Sequence, residues 1–294
     1  MRVGIIGYGE VGRLISNQFL SRGRSVLVWD KCFLDSSSPA LQLAAGTPGL
    51  DVASSSIDLI ERADLIFSAV TAGNALQLAS DCAKAITQEK TFVDLNSVSP
   101  GTKVQMAEVM AAASGRFVEA AIMSPIHPRG IESPISLAGP HAELFAEIGA
   151  SIGFTSLTIS SPTFGKAAAT KMCRSVVIKG LEALIAESMM AARAHGVEDV
   201  VLGSFKNLLP RDDWPDYAHY MIQRTLLHGV RRAEEMSEAA KTLSEIGVDP
   251  LMTRATVERQ NWMAGRVDTA SNTDLAATLD ALLQNLDTNI EESK

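Results

Sequence analysis

The stretch Val3-Gly4-Ile5-Ile6-Gly7-Tyr8-Gly9-Glu10-Val11-Gly12 decides the fold of this 294-residue chain. Val3–Ile6 is short, branched and continuously apolar, as a strand covered on both faces must be. Three glycines follow at G-x-G-x-x-G spacing and open a helical pattern. Gly7 permits a tight turn, Gly9 puts no side chain in the way of a pyrophosphate, and Gly12 lets the helix approach the sheet. Backbone amides at the helix start, with the positive end of the helix dipole, favour phosphate. A dinucleotide site is therefore expected over Gly7, Tyr8, Gly9, Glu10, Val11 and Gly12, with the Glu10 carboxylate turned away from the phosphates.

Working outward, apolar runs continue at Ser25–Trp29, Leu65–Val70, Thr91–Asp94, Phe117–Ile122, Ile135–Ala138 and Ser156–Ile159. Helical patterns occupy residues 10–22, 72–86, 100–113 and 141–150, while residues 31–50 read as a loop with a short crossover. Alternation of this kind builds a right-handed βαβ succession and a mostly parallel sheet. After Pro162 the pattern changes. Lys166–His195 is rich in Ala, Leu, Met, Lys and Glu and has no proline, which predicts a helix about 45 Å long. Further helices are expected over 216–246, 250–264 and 272–291. The reading is a Rossmann-type doubly wound α/β domain over 1–162 followed by an all-helical substrate and dimerisation domain over 163–294.

Composition narrows the function. Hydrophobic residues make up 46% and charged residues 20%, which excludes a disordered chain. The net charge of −8 argues against nucleic acid as a partner. Cys32, Cys82 and Cys173 form neither a disulfide framework nor a zinc pattern, so a reducing cytoplasm is expected and no metal site. Met1-Arg2 leads straight into a strand pattern, so no signal peptide is expected, and no window reaches about eighteen uninterrupted apolar residues, so no membrane span is expected.

Asp30 ends the second strand, where its carboxylate can accept hydrogen bonds from both ribose hydroxyls and repel a 2′-phosphate. This favours NAD, with NADP left open by the neighbouring Arg24 and Lys31. Val70 and Thr71 end another strand on the same edge and wall the cofactor, or else form an ordinary βα loop. In Asp94-Leu95-Asn96-Ser97-Val98-Ser99-Pro100, Asn96 or Ser97 can hydrogen-bond a carboxamide or a substrate oxygen. Ser99 caps the next helix, with Pro100 at its first position.

Four segments in this order resemble the β-hydroxyacid dehydrogenase family, which includes 3-hydroxyisobutyrate and 6-phosphogluconate dehydrogenases. They are Gly7–Gly12, Asp94–Pro100, Phe117-Val118-Glu119-Ala120-Ala121-Ile122 and Gly165-Lys166-Ala167-Ala168-Ala169-Thr170-Lys171. The C-terminal half resembles the uncharacterised 6-phosphogluconate-dehydrogenase-like branch through Lys171-Met172-Cys173, Ile178–Leu184 and His228–Met236. The resemblance implies hydride transfer between a nicotinamide cofactor and a small β-hydroxy acid or its keto form. It makes Lys171 the catalytic lysine, with Ser175 where many members have asparagine. Met123-Ser124-Pro125 stands where many members have Ser-Gly-Gly, and Pro125 has no amide with which to hold a carboxylate. Ile178 stands where 6-phosphogluconate dehydrogenases carry an acidic glutamate, which speaks against decarboxylation.

Lysine accepts the alcohol proton when neutral and polarises a carbonyl when charged; partial burial lowers its pKa toward that task. Lys171, Ser175 and Lys179 share a stripe at four-residue spacing, and Lys179 belongs either to the site or to a salt bridge with Glu182 or Glu187. Arg224, His228 and Arg231 form a second stripe. It binds a substrate carboxylate, in cis or across a dimer, or else is a charged face paired with Glu234, Glu235 and Glu238. His127 or Arg129 can replace the amide donors missing around Met123 and Ser124, or else lies on a surface loop. The expected partners are a small carboxylate substrate and a second copy of the chain through the helical half. Two other readings stay open: a non-catalytic NAD(P)-binding or redox-sensing protein, and a reductase of another carbonyl or imine.

Overall fold

In the computed structural model, which describes residues 1–205 and 212–291, the chain opens with β1 (Val3–Ile6), α1 (Glu10–Ser21) and β2 (Val26–Trp29). There follow α2 (Pro39–Ala45), β3 (Leu50–Val52), α3 (Ser56–Arg62), β4 (Leu65–Ser68), α4 (Ala72–Cys82), β5 (Thr91–Asp94) and α5 (Pro100–Ala112). The sheet is completed by β6 (Arg116–Ile122), β7 (Ile135–Ala138), α6 (Ala142–Ile152) and β8 (Leu157–Ser161). Eight strands lie in the order β3-β2-β1-β4-β5-β6-β7-β8, all pairs parallel except β6 with β7. The chain leaves β1 toward β2 and β3, then returns to its other side as β4. Ligands of such sheets bind in the crevice that opens at this reversal, beyond the carboxyl ends of the strands.

Strand alternation divides the core. Ile5, Phe67 and Val93 face α1 and α6, where Phe67 stacks on Phe154 with ring centroids 5.7 Å apart. Ile6, Ile66 and Phe92 face α3, α4 and α5. Each buried side chain of this size contributes roughly 1.5–3 kcal/mol. The apolar run through Val70 predicted a longer β4, but the strand stops at Ser68 because the Val70 amide donates to the Asn96 side chain at 2.7 Å. α2 lies within residues 31–50, which read as a loop with a short crossover, and β3 and α3 follow where the sequence reading placed no element. In β3 only Leu50 is fully buried, which is too little to show a period.

The helices that follow are α7 (Lys166–Ala194), α8 (Glu198–Phe205), α9 (Trp214–Glu245), α10 (Leu251–Ala264) and α11 (Leu275–Glu291). Sequence reading missed α8. Met189, Met221, Ile222, Leu226, Met263 and Leu279 form a separate core. Gly229 brings α9 onto α10: a Cβ there would lie 2.5 Å from the Gln260 carbonyl oxygen. The compact units are Met1–Met172 and Cys173–Lys294. The first turns of α7 pack on the sheet, with Ala167 against Ala121 and Ala138, and so belong to the first unit. Among the described residues, no helix is long and apolar enough to cross a membrane.

Candidate active site

The glycine turn has the geometry its sequence requires. Gly7 adopts φ 100°, and its amide donates to the Trp29 carbonyl at 2.9 Å. A Cβ at Gly7 would overlap the Ala69 carbonyl, and one at Gly12 would overlap the Gly7 carbonyl oxygen. Gly9 differs: a Cβ there meets no atom within 4 Å, so its open side is space the protein leaves unfilled. Gly9 also starts α1 without a side-chain cap, leaving the first-turn amides to a ligand. Val11 is half-buried beside them. These residues fit a dinucleotide pyrophosphate.

Asp30 binds the turn to β2. One carboxylate oxygen accepts from the Tyr8 amide at 2.7 Å and the other from the Cys32 amide at 2.8 Å. About four lone-pair sites on a carboxylate leave acceptor capacity for ribose hydroxyls. The Tyr8 ring is buried edge-on against Phe33, so Tyr8 acts through its backbone. Thr71 is exposed and accepts from the Asn74 amide at 2.5 Å, and Asn74 in turn accepts from Lys31 at 3.3 Å. A polar chain thus runs from the end of β2 to the start of α4. The hydrogen bond and negative charge of Asp30, with burial, push the Cys32 thiol up from its ordinary value.

Asn96 fastens the β4 and β5 edges together. Its amide donates to Ser68 Oγ at 2.7 Å and to Asp94 Oδ1 at 2.5 Å, and its carbonyl oxygen accepts from Val70. Both amide protons are engaged in this structure, while the carbonyl oxygen keeps a second lone pair for a donor such as a carboxamide. Behind it Asp94 and Lys103 form a fully buried ion pair, and Lys103 also donates to the Asp94 carbonyl at 3.1 Å. Ser97, half-buried on the same loop, remains the candidate donor. Ser99 caps α5 by accepting from the Thr102 amide at 3.2 Å.

Glu119 is a buried carboxylate that sequence reasoning quoted but did not assign. It is fully buried on β6, and its two oxygens accept from the amides of Gly165 at 2.5 Å and Ala168 at 2.6 Å. A carboxylate from the sheet therefore caps the start of α7, where the helix dipole favours negative charge. Further contacts join the two elements: Phe117 meets Phe164, and Ala121 lies in one apolar cluster with Ala138 and Ala167. Half-buried Lys171 follows on the same helix, about 6 Å of helical rise beyond Ala167. Met123 packs against the alanine cluster. Its amide donates to the Pro134 carbonyl at 2.8 Å, and the Ser124 hydroxyl donates to the Pro125 carbonyl at 3.1 Å. No run of consecutive amide donors exists here. His127 is exposed, with Nε2 3.8 Å from Glu10 Oε1, so the loop places it beside the glycine turn.

In the second unit, Ser175 is buried and accepts from Lys179 Nζ at 3.2 Å. Lys179 pairs with Glu235 at 2.5 Å, not with Glu182 or Glu187 as the spacing suggested. Burial pulls the Lys179 ammonium below its ordinary value, and Glu235 opposes that. Arg231 shares Glu235 at 2.7 Å. Arg224 bonds Glu182 at 3.2 Å and the Tyr220 hydroxyl at 3.0 Å, and Glu182 also pairs with buried Arg232. The two arginines proposed as a carboxylate fork are thus each held by a different glutamate. His228 is half-buried on the same helix. Among the described residues, no group of three or more His, Cys, Asp or Glu could hold a metal ion.

Residues 2–124 match the NAD binding domain of 6-phosphogluconate dehydrogenase, and residues 192–263 match a domain of unknown function, DUF1932. A conserved hypothetical protein from Sinorhizobium meliloti 1021 is 32% identical over 97% of this chain and 96% of that one, with a TM-score of 0.73. A conserved protein of unknown function, described as structurally similar to 3-hydroxyacid dehydrogenases, is 28% identical over 93% of this chain and 100% of that one, with a TM-score of 0.69. An uncharacterized 28.5 kDa protein of Methanothermus fervidus is 27% identical over 256 residues, 87% of this chain and 96% of that protein. The first unit is accordingly a nicotinamide-dinucleotide-binding domain. The chain belongs to the β-hydroxyacid dehydrogenase family, with a 6-phosphogluconate-dehydrogenase-like dinucleotide-binding domain followed by a DUF1932 domain.

Proposed function

We propose that this protein is a nicotinamide-dependent dehydrogenase of a small β-hydroxy acid or its keto form, with Lys171 as the proton donor and acceptor. One observation carries the reading. Glu119, on a strand of the sheet that carries the glycine turn, accepts from the first amides of α7, and this supports a reading in which Lys171, one turn further along that helix, serves the cofactor edge. Gly7, Gly9, Gly12 and the α1 amides hold the pyrophosphate, and Asp30 accepts from the ribose, which favours NAD over NADP. A bound nicotinamide supplies the hydride acceptor, or in reverse the donor. Lys171 Nζ takes the hydroxyl proton as the carbonyl forms and returns it in reduction. Ser97 and Ser124 hold the substrate oxygens.

The partner we propose is a small carboxylate, in the cytoplasm, with neither nucleic acid nor membrane involved. Homodimerisation through the helical unit has support in Val177 and Ile178 on α7 and Val230 on α9, exposed at 66%, 40% and 63%. A dimer interface would bring the Arg224, His228 and Arg231 stripe to the partner's site.

A screen of hydroxy acids with NAD and NADP, followed by reduced-nicotinamide absorbance, tests the activity. Lys171→Met is expected to lower turnover about 100-fold or more while leaving dinucleotide affinity intact. Full activity in that variant removes Lys171 from the chemistry.

A further inference from the structure

We propose that Gln18 is a positioning residue that ties the segment after β6 to the dinucleotide-binding helix, so that occupancy of the glycine turn is felt at that segment. The inference rests on the dinucleotide reading of the turn. Residues 10, 18 and 22 lie on one stripe of α1, and each engages the 127–132 stretch. Glu10 lies beside His127. The Gln18 amide donates to the Arg129 carbonyl at 3.1 Å, and its oxygen accepts from the Ile131 amide at 2.8 Å. Arg22 pairs with Glu132 at 2.9 Å. The Gln18 contact is the specific one. A side-chain amide that bonds a backbone carbonyl and a backbone amide fixes the direction of the chain as a strand neighbour does. Gly130, at φ 56°, permits it, because a Cβ there would overlap the Gln18 amide.

The two ends of this arrangement carry different tasks. The start of α1 meets the pyrophosphate, while the tethered loop continues from Met123 and Ser124, where the substrate carboxylate is expected. Both outer tethers join exposed side chains and contribute little by themselves. Gln18 therefore carries most of the coupling. Ordering the turn lowers the cost of ordering the loop, and by linkage the reverse holds equally.

Trypsin cleavage after exposed Arg129 reads the loop directly, because cleavage before buried Gly130 requires local opening. With NAD as the probe, cleavage in the wild type is expected to slow about fivefold or more. In Gln18→Ala, NAD at saturation, with its affinity by calorimetry weakened by no more than about the same fivefold, is expected to give no slowing. Gln18→Glu keeps the acceptor for Ile131 and loses the donor to Arg129, and is expected to fall between. Equal NAD protection in wild type and Gln18→Ala overturns the proposal, as does NAD binding without protection in the wild type; both leave the dinucleotide site standing. If neither NAD nor NADP binds, the inference falls together with the reading beneath it.

Discussion

At the residue scale, the three glycines of the turn separate folding from binding. Gly12 has no room for a methyl group, whereas Gly9 has room that the protein does not use. Gly12→Ala is therefore expected to lower the melting temperature. Gly9→Ala is expected to leave melting unchanged but weaken NAD affinity about tenfold or more, since each 1.4 kcal/mol is tenfold. Thermal melts beside calorimetric titrations distinguish the two. Cys82 gives a pH prediction. Burial, and to a lesser degree Asp81, push its thiol from 9.0 up to about 12. The unfolded chain loses that proton first, so the stabilisation is complete below pH 9 and is lost as pH rises toward about 12. The loss is at most about 4 kcal/mol. Urea melts at pH 8 and 11 are expected to fall more steeply for wild type than for Cys82→Ala.

At the element scale, the β5–α5 connection is held by charge inside the core. Lys103→Met leaves Asp94 buried without its cation, at an expected cost of about 3–5 kcal/mol, read as a lowered urea midpoint. Adding Asp94→Asn is expected to recover part of it, since residues in contact do not add independently. This pair also shows where sequence reading stops. Ser99 and Pro100 announce a helix start because capping is local. Nothing in the spacing reveals that Lys103 folds back onto Asp94, or that Asn96 turns its amide inward, because those partners are chosen by packing. Glu119 was overlooked for the same reason: it sits in a strand and serves the first amides of a helix far along the chain. The Lys179 stripe was legible as a helical face, but its partner Glu235 lies on another helix. By contrast β1 and β5 were legible to the residue, since continuous burial writes near-continuous hydrophobicity, and β7 was legible with only Ser136 half-buried.

At the scale of the whole molecule, the exposed apolar residues of α7 and α9 predict self-association. Light scattering at micromolar concentration is expected to give twice the chain mass, and a single 31.3 kDa species would refute the dimer. The three cysteines provide an independent check on the fold. Cys32 and Cys173 are exposed and are expected to react with a thiol reagent in the native protein, with Cys82 reacting only after unfolding.

The Glu119 cap also governs how this gene can be cut. A fragment ending at Pro162 keeps the buried carboxylate but discards both amides that solvate it, leaving an anion inside an apolar wall. A fragment carried through Met172 retains them. The natural seam for dissecting this protein therefore lies inside a helix, and a gene split at the loop before it should yield an insoluble half.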